Sequence, residues 1–300
     1  MNLEQIKSLV CVVKNKSFSQ AAKEMFVTQP TISMHIKTLE NELGEQLLVR
    51  STKDIVLSEA GLVFYPYAVR MLTAEEEALA QMKNREEDIK GEVLIASSSV
   101  PVNCIIPEFI AYSRKKCAGI RYRISEGDSA EVIQKILRFE QEIGIGSIRT
   151  ENPKCICEPF IKDKIVLITP NTEKYRLCNG RIPVEELRQD GFVVREQGSG
   201  TKLAVKSLER TLGLTLDKMN VVAEFQTTET VKRAVAAGAG VAFASSLAVQ
   251  DYQKQKKILV FEFDDSYTER QIYLIRHTDR NLSIAGEKAL SLLRKFAKNI

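Results

Sequence analysis

The stretch SFSQAAKEMFVTQPTISMHIKTLENELG, residues 17–44, sets the architecture of the N-terminal part of this chain. Its first four residues fit a capping box, in which the Ser17 hydroxyl and the Gln20 amide satisfy free N–H groups at the start of a helix. Pro30 suits the first turn of a following helix, and Gly44 supplies a stop after apolar residues at helical spacing. The stretch therefore predicts two short helices joined by a turn.

The flanking residues first extend the helical pattern and then change it. Apolar residues between positions 6 and 13 recur at i, i+3, i+4 and i+7, which predicts an amphipathic helix. After the stretch, LLVR at 47–50 and IVL at 55–57 flank a polar tip and predict a β-hairpin, a wing. A capped helix of about thirty residues is predicted from Ser58, and a helix this long beside so small a domain is typical of one that pairs with a second copy.

Together these motifs resemble the winged helix-turn-helix of LysR-type transcriptional regulators. The similarity runs through the wing and into LSEAG at 57–61. It implies that the helix following Thr28 enters the major groove of double-stranded promoter DNA. It also implies base-edge or groove contacts from four residues of this helix: Gln29, Pro30, Thr31 and Ser33. Phosphate contacts are implied for Thr28 and Lys37, and a backbone or minor-groove contact is implied for the wing residues Arg50 and Lys53.

Met34 departs from the family pattern, because family members often carry a basic residue at this position. The departure weakens the expected phosphate contact, although Met34 can instead contact a thymine methyl group. A helical bundle used for protein contacts is the alternative for this region, and the wing and the long helix argue against it.

From residue 91 onward, short apolar strand candidates alternate with helical segments, the pattern of an α/β architecture. We predict a winged helix-turn-helix domain at 1–58, a linker and dimerisation helix at 59–90, and a two-lobed α/β effector-binding domain at 91–300. Lobe I is expected at 91–160 plus 266–300, and lobe II at 161–265. The resemblance implies that this domain is similar to periplasmic binding proteins and binds a small molecule between its lobes.

Two turns rich in hydroxyl groups are the candidates for that site. ASSSVP, residues 96–101, lies where a strand gives way to a helix, a junction that binds anions through free N–H groups, and a simple N-cap is the alternative. EQGSGT, residues 196–201, has two glycines that permit close approach of a ligand. The resemblance places both turns at the cleft, and an anionic effector is expected, with Arg149 and Arg195 as candidate counter-ions. The residues expected around the effector are Ser97, Ser98, Ser99, Val100, Gly146, Ser147, Gly198, Ser199, Thr201 and Thr227.

Composition excludes several other classes of protein. With 300 residues, 44% hydrophobic and 27% charged, the chain is expected to fold throughout into about two domains. It shows neither a signal peptide nor a membrane span, so its six cysteines are expected as free thiols in the cytoplasm. Only two histidines, His35 and His277, leave little material for a metal site or a hydrolytic triad. We expect no metal, no cofactor and no enzymatic activity.

Net charge alone does not predict DNA binding. Residues 1–90 contain 11 Lys and Arg against 13 Asp and Glu, although the whole chain carries a formal charge of +4. The expectation of a homodimer or homotetramer on promoter DNA therefore rests on the motifs. Neither the effector, nor the operator, nor the choice between activation and repression follows from the sequence.

Two alternatives remain open at this point. One is a thiol-based redox-sensing regulator on the same scaffold, using Cys155, Cys157 and Cys178, since some members of the family sense peroxide through cysteines. If residues 155–160 are extended, Cys155 and Cys157 point to opposite faces, which argues against a shared disulfide or metal. The other alternative is a solute-binding protein, against which the missing signal peptide argues.

Overall fold

The computed structural model describes residues 1–50, 55–83, 89–178, 182, 187, 190–212, 219–263 and 268–299. Its N-terminal part consists of three helices, a two-stranded hairpin and a long helix. These elements are α1 (Leu3–Asn15), α2 (Phe18–Glu24), α3 (Gln29–Leu43), β1 (Leu48–Arg50), β2 (Ile55–Leu57) and α4 (Glu59–Lys83). Residues 84–88 of the expected linker helix lie outside the described residues.

Capping side chains fix where the first helices begin. The Ser17 hydroxyl accepts the backbone N–H of Gln20 (3.3 Å), which is the first half of the expected capping box. A complete capping box stands at α1, between Asn2 and Gln5. Gly44 ends α3 with a φ of 73°, a conformation that favours glycine. Buried apolar side chains hold the three helices and the hairpin together: Ile6, Leu9, Ile32, Ile36, Leu39 and Leu47.

The rest of the chain is built around a seven-stranded mixed sheet. Its path is β10-β6-β11-β5-β3-β4, with β9 also paired to β6, and a separate parallel pair joins β7 to β8. The strands are β3 (Gly91–Ser98), β4 (Ile120–Gly127), β5 (Ile143–Gly146), β6 (Cys155–Pro170), β7 (Gly191–Arg195), β8 (Asn220–Phe225), β9 (Ala242–Ser245), β10 (Ile258–Phe261) and β11 (Glu269–His277).

Eight helices within the described residues accompany these strands. They are α5 (Ser99–Cys104), α6 (Ile106–Lys116), α7 (Ser129–Leu137), α8 (Glu173–Arg176), α9 (Gly200–Leu212), α10 (Thr228–Ala236), α11 (Ser246–Lys254) and α12 (Ile284–Ala297). One core, around Phe109, lies in lobe I, and others, around Phe192 and Val231, lie in lobe II. No helix within the described residues combines the length and apolar character that crossing a membrane requires.

The strand β6 crosses from one lobe to the other. Its first part pairs antiparallel with β11, and its second part, from Ile165, pairs with β9 and β10. The boundary expected between the lobes, at residues 160 and 161, falls inside β6. Because β6 and β11 are the strands that run through this junction, they form the hinge on which the two lobes are mounted.

Candidate functional site

The exposed face of α3 carries the residues expected to contact DNA. Thr28 caps the helix, accepting the backbone N–H of Thr31 (3.4 Å), and Met34 is 59% exposed. The opposite face of α3 is buried in the core of the domain. Exposed along the first face are Thr28, Gln29, Pro30, Met34 and Lys37, with Thr31 and Ser33 half-buried. Arg50 is the last residue of β1, and Lys53 lies outside the described residues.

Polar contacts fix the orientation of α3. The His35 ring lies 2.8 Å, through Nδ1, from the Ser8 hydroxyl of α1. The Glu40 carboxylate accepts the backbone N–H groups of Leu47 and Leu48 (2.8 and 3.2 Å), which ties the start of the wing to the helix. The side chains on the exposed face therefore project from a fixed scaffold.

The Ser97–Ser99 turn lies at the junction of β3 and α5, and all three serines are buried. Ser98 is the N-cap of α5, yet its side chain makes no capping hydrogen bond. The Ser97 hydroxyl donates to the carbonyl of Ser98 (3.1 Å). Of the three hydroxyls, that of Ser99 reaches across to lobe II, where it accepts the backbone N–H of Thr228 (3.3 Å) and lies 3.0 Å from the Thr228 hydroxyl. The simple N-cap interpretation of this turn is therefore not supported.

Arg195 completes this contact between the lobes, and its side chain is only 6% exposed. Its Nη1 donates to the Thr228 hydroxyl (2.7 Å) and the Ser99 hydroxyl (3.3 Å). Its Nε and Nη2 form a two-pronged ion pair with Glu196 (2.9 and 2.8 Å), and Nη2 also donates to the carbonyl of Gln226 (2.8 Å). A guanidinium group and the N-terminus of α10 thus converge on the Ser99 hydroxyl.

Two glycines of the 196–201 turn permit the close approach of the lobes themselves. A Cβ at Gly200 would overlap the Ser147 hydroxyl, and a Cβ at Gly198 would overlap the Asp128 carboxylate. Gly198 also has a φ of 86°. The sequence suggested that these glycines make room for a ligand, whereas in this structure the room is taken by side chains of lobe I.

The remaining residues predicted around the effector lie in different surroundings. Thr227 is the N-cap of α10, where its hydroxyl accepts the backbone N–H of Thr230 (3.2 Å), so Thr228 and not Thr227 meets Ser99. Val100 and Ser199 are buried, and Gly146 lies on β5 with ordinary contacts around a hypothetical Cβ. Ser147 and Arg149 line a cavity of about 550 Å³ between the lobes, so the two candidate counter-ions, Arg149 and Arg195, occupy different places.

Sequence reasoning missed a buried ion pair at the hinge. Asp163 of β6 is fully buried and pairs with Arg270 of β11 (2.7 Å), whose Nη1 donates to the Thr201 hydroxyl (3.1 Å). Asp163 also accepts the hydroxyls of Ser245 and Ser246 at the start of α11 (2.8 and 3.2 Å). The charged Asp163 between apolar residues of β6 was the sequence feature that could have indicated this ion pair. The pair joins both hinge strands to the first turns of two lobe II helices.

The cysteines offer little support for a redox or metal site. All six are free thiols, and the described residues contain no cluster of three or more potential metal ligands. Burial raises the pKa of the Cys104 thiol to about 11 and also raises the pKa of Cys155. A raised pKa lowers the thiolate fraction on which cysteine reactivity depends.

Comparison with known proteins adds the family. Residues 86–298 match the family model of the LysR substrate binding domain, and residues 3–62 match that of the bacterial regulatory helix-turn-helix proteins of the lysR family. The chain belongs to the LysR family. The predicted fold class is confirmed: the protein is a LysR-type transcriptional regulator with a winged helix-turn-helix and an α/β effector-binding domain.

Individual LysR-type proteins align with almost the whole chain. The regulator CysL of Bacillus subtilis is 27% identical over 276 residues, covering 92% of this chain and 91% of its own. A full-length OxyR variant of Pseudomonas aeruginosa superimposes with a TM-score of 0.81 at 18% identity, covering 99% of this chain and 98% of that one. The CcmR regulatory domain of Synechocystis PCC6803, solved in complex with 2-PG, superimposes with a TM-score of 0.63 at 22% identity, over 70% of this chain and 99% of that one.

Proposed function

We propose that this LysR-type regulator binds promoter DNA through the exposed face of α3 and the wing, and that a small oxyanion bound between its lobes modulates that binding. The single observation that carries the effector proposal is the convergence of Arg195 and the N-terminus of α10 on the Ser99 hydroxyl. An oxygen that accepts hydrogen bonds from both groups is the position that an anion would take.

The DNA part of the proposal rests on the chemistry of the α3 face. Gln29 and Thr31 offer groups that read base edges, Met34 offers an apolar tip for a thymine methyl, and Lys37 offers a cation for phosphate. The Gln29 side chain accepts the Ser19 hydroxyl in the free protein (2.8 Å), and DNA would replace that bond. The positive end of the α3 dipole adds a favourable site for a phosphate, although Pro30 has no N–H and Thr28 already caps the N–H of Thr31.

The effector part follows from the contacts that the Ser99 hydroxyl already makes between the lobes. The Ser99 hydroxyl is a neutral acceptor for Arg195 Nη1 and the Thr228 N–H, and an anionic oxygen is a stronger acceptor for the same donors. Hydrogen bonds to a charged group contribute about 1.5–3 kcal/mol each. An oxyanion would therefore displace the Ser99 hydroxyl and change how the lobes meet. It shifts the equilibrium only as far as its affinities for the two arrangements differ.

Helix α7 supplies a physical connection between the cleft and the DNA-binding domain. Its first residue, Ser129, lies 3.4 Å from the Ser147 hydroxyl at the cleft. Just beyond its C-terminal end, Phe139 packs against Tyr65 and Val69 of α4. A change in how the lobes meet would therefore reach α4 through one rigid helix.

The exposed apolar side chains of α4 support a homodimer or homotetramer. A surface of this kind is the usual mark of a helix that pairs with another copy. The exposed large apolar side chains described on α4 are Leu62, Val63, Tyr67, Met71 and Leu79. Two DNA-binding domains held in this way would occupy two half-sites, and α7 would transmit the state of each cleft to the pair.

The first experiment is genomic footprinting of the full-length protein, repeated with sulfate, phosphate and small carboxylates. We expect a two-fold symmetric protected site whose pattern changes with one of these anions. Weak, strongly salt-sensitive binding to every sequence would contradict the DNA proposal.

The effector site is tested in parallel by thermal unfolding with the same anions. An anion at about 100 times its Kd adds about 2.7 kcal/mol of stability. Arg195→Gln should weaken that anion about 10- to 100-fold, since one or two charge-assisted hydrogen bonds are lost. Arg149→Gln, the other candidate counter-ion, is the matched control and should leave the Kd unchanged. Equal losses in the two variants would contradict an effector site at Ser99.

A further inference from the structure

The turn between α2 and α3 contains a phenylalanine in a conformation that favours glycine. Phe26 has a φ of 56°. Its N–H donates to the carbonyl of Lys23 (3.3 Å), and the N–H of Val27 donates to the carbonyl of Ala22 (3.0 Å). This pair of bonds is the Schellman motif, in which the left-handed position is most often glycine because a Cβ strains it.

Three other non-glycine residues in the described part of the chain share a positive φ, but none of them exposes an apolar side chain. Lys16 and Lys256 are exposed at helix ends, where their charged side chains remain in water. Phe139 occupies the same Schellman position after α7, but its ring is buried against Tyr65 and lies 4.3 Å from the His277 ring. Burial of the Phe139 ring offsets the strain at that position.

The described residues provide no such compensation for Phe26, whose side chain is 95% exposed. A phenyl ring at a strained and fully solvated position contributes nothing to folding that glycine or asparagine would not supply better. Strain that persists without a gain in folding points to a function. A partner that covers this ring must therefore lie outside the described residues.

The position of Phe26 identifies the partner. It stands two residues before Thr28, the N-cap of α3, and every residue from Phe26 to Pro30 is exposed. When the first turn of α3 enters the major groove, the residues just before it face the sugar–phosphate strand at the edge of the groove. Deoxyribose is the apolar part of that strand, and it carries no sequence information.

We propose that Phe26 is an apolar anchor that packs on deoxyribose at the edge of the groove, and that its strained conformation is retained for this contact. The inference rests on the proposed DNA-binding face of α3. It adds a contact that is independent of both charge and base sequence.

The test compares Phe26→Gly, Phe26→Asn and Phe26→Tyr in the full-length protein. Because glycine and asparagine fit the left-handed conformation, we expect these two variants to melt higher by roughly 2–4 °C. Both should nevertheless bind a duplex of mixed sequence about 5- to 30-fold more weakly, from the loss of a buried ring. Phe26→Tyr should bind within about two-fold of the wild type. Higher stability with lower affinity separates a DNA contact from a structural role.

Salt dependence separates an apolar contact from a charged one. Loss of the Phe26 ring should leave the slope of log Kd against log salt unchanged, whereas Lys37→Ala should reduce it by about one. Leu177→Ala removes another strongly exposed apolar side chain, in lobe II, and should change neither quantity.

Three results would overturn the inference. The first is unchanged DNA affinity in Phe26→Gly while Lys37→Ala loses affinity, which would leave the DNA-binding proposal standing. The second is a parallel fall in stability and affinity, which would mark a structural role. The third is loss of transcriptional activity with normal DNA affinity, which would assign the ring to a protein partner. If neither Phe26→Gly nor Lys37→Ala altered binding, the proposed DNA face would itself be wrong.

Discussion

Gly200→Ala adds one methyl group at the contact between the lobes. The new Cβ would overlap the hydroxyl oxygen of Ser147 and lie 3.1 Å from both the Ser147 Cβ and the Ser129 hydroxyl. Gly200 does not have a positive φ, so alanine adds no backbone strain. Ser147 can rotate its oxygen away, but the Cβ–Cβ approach remains too close. The substitution therefore acts as a wedge that opposes closure.

The magnitude follows from two contributions. Rotation of Ser147 gives up its weak contact with the Ser129 hydroxyl (3.4 Å), worth at most about 1 kcal/mol. The remaining overlap adds overpacking, for which about 1–3 kcal/mol is typical. We expect the closed arrangement to lose about 2 kcal/mol, which is roughly a thirty-fold change in the closed-to-open ratio.

Hydrogen exchange of the Thr228 amide reports this change directly, because that N–H is bonded across the cleft to Ser99 (3.3 Å). Its exchange should accelerate by roughly the same thirty-fold if opening limits it. Gly146→Ala is the matched control, since its Cβ would find only ordinary contacts, the nearest at 3.7 Å. Ser147→Gly added to Gly200→Ala should restore most of the protection, because it removes both the oxygen and the Cβ that the new methyl group meets. Equal exchange in Gly200→Ala and Gly146→Ala would refute the view that these glycines set how closely the lobes meet.

Three further predictions concern buried groups. Burial lowers the pKa of His277 below its ordinary 6.5, and its neutral ring accepts the N–H of Asp279 (3.0 Å). The stability that the neutral His277 ring contributes is thus present above pH 6.5 and is lost as the pH falls through the lowered pKa. Urea unfolding should therefore show that His277→Gln loses less stability than the wild type when the pH falls from 7 to 5. Phe139→Ala should cost about 3–5 kcal/mol in urea and weaken the effect of the anion on the footprint, with DNA affinity retained. Glu196→Gln leaves Arg195 without its charge partner. Without an anion, this variant should melt at a lower temperature than the wild type, and added sulfate should raise its melting temperature by more than it raises that of the wild type.

The DNA-binding domain could be predicted closely because its signals are local. Ser17, Pro30 and Gly44 each mark a helix end, and the structure places a cap, a first-turn proline and a stop at these positions. Such motifs depend on residues within a few positions of one another. They are therefore visible in a single sequence.

The hinge could not be predicted because its signals are mixed. The charged residues Glu158, Lys162 and Asp163 interrupt the apolar positions in residues 155–163 of β6, so this part lacks the continuous apolar run that predicts a buried strand. Pairing with β11 over this part is what makes the segment a strand. Arg270, which neutralises Asp163, comes from 107 positions away, and no local pattern connects them.

The two turns at the cleft were identified from their composition, but their roles depend on contacts between residues that are far apart in the sequence. Hydroxyl and glycine content identified residues 96–101 and 196–201 without showing that one of them faces Arg195. In this structure the Glu196 carboxylate already pairs with Nε and Nη2 of Arg195, whereas the acceptors of Nη1 are the neutral hydroxyls of Ser99 and Thr228. An incoming anion would therefore exchange with the Ser99 and Thr228 hydroxyls more readily than with Glu196. A ligand that presents one oxygen to Nη1 satisfies this arrangement, and its remaining polar groups must find their partners on the facing walls of the cleft.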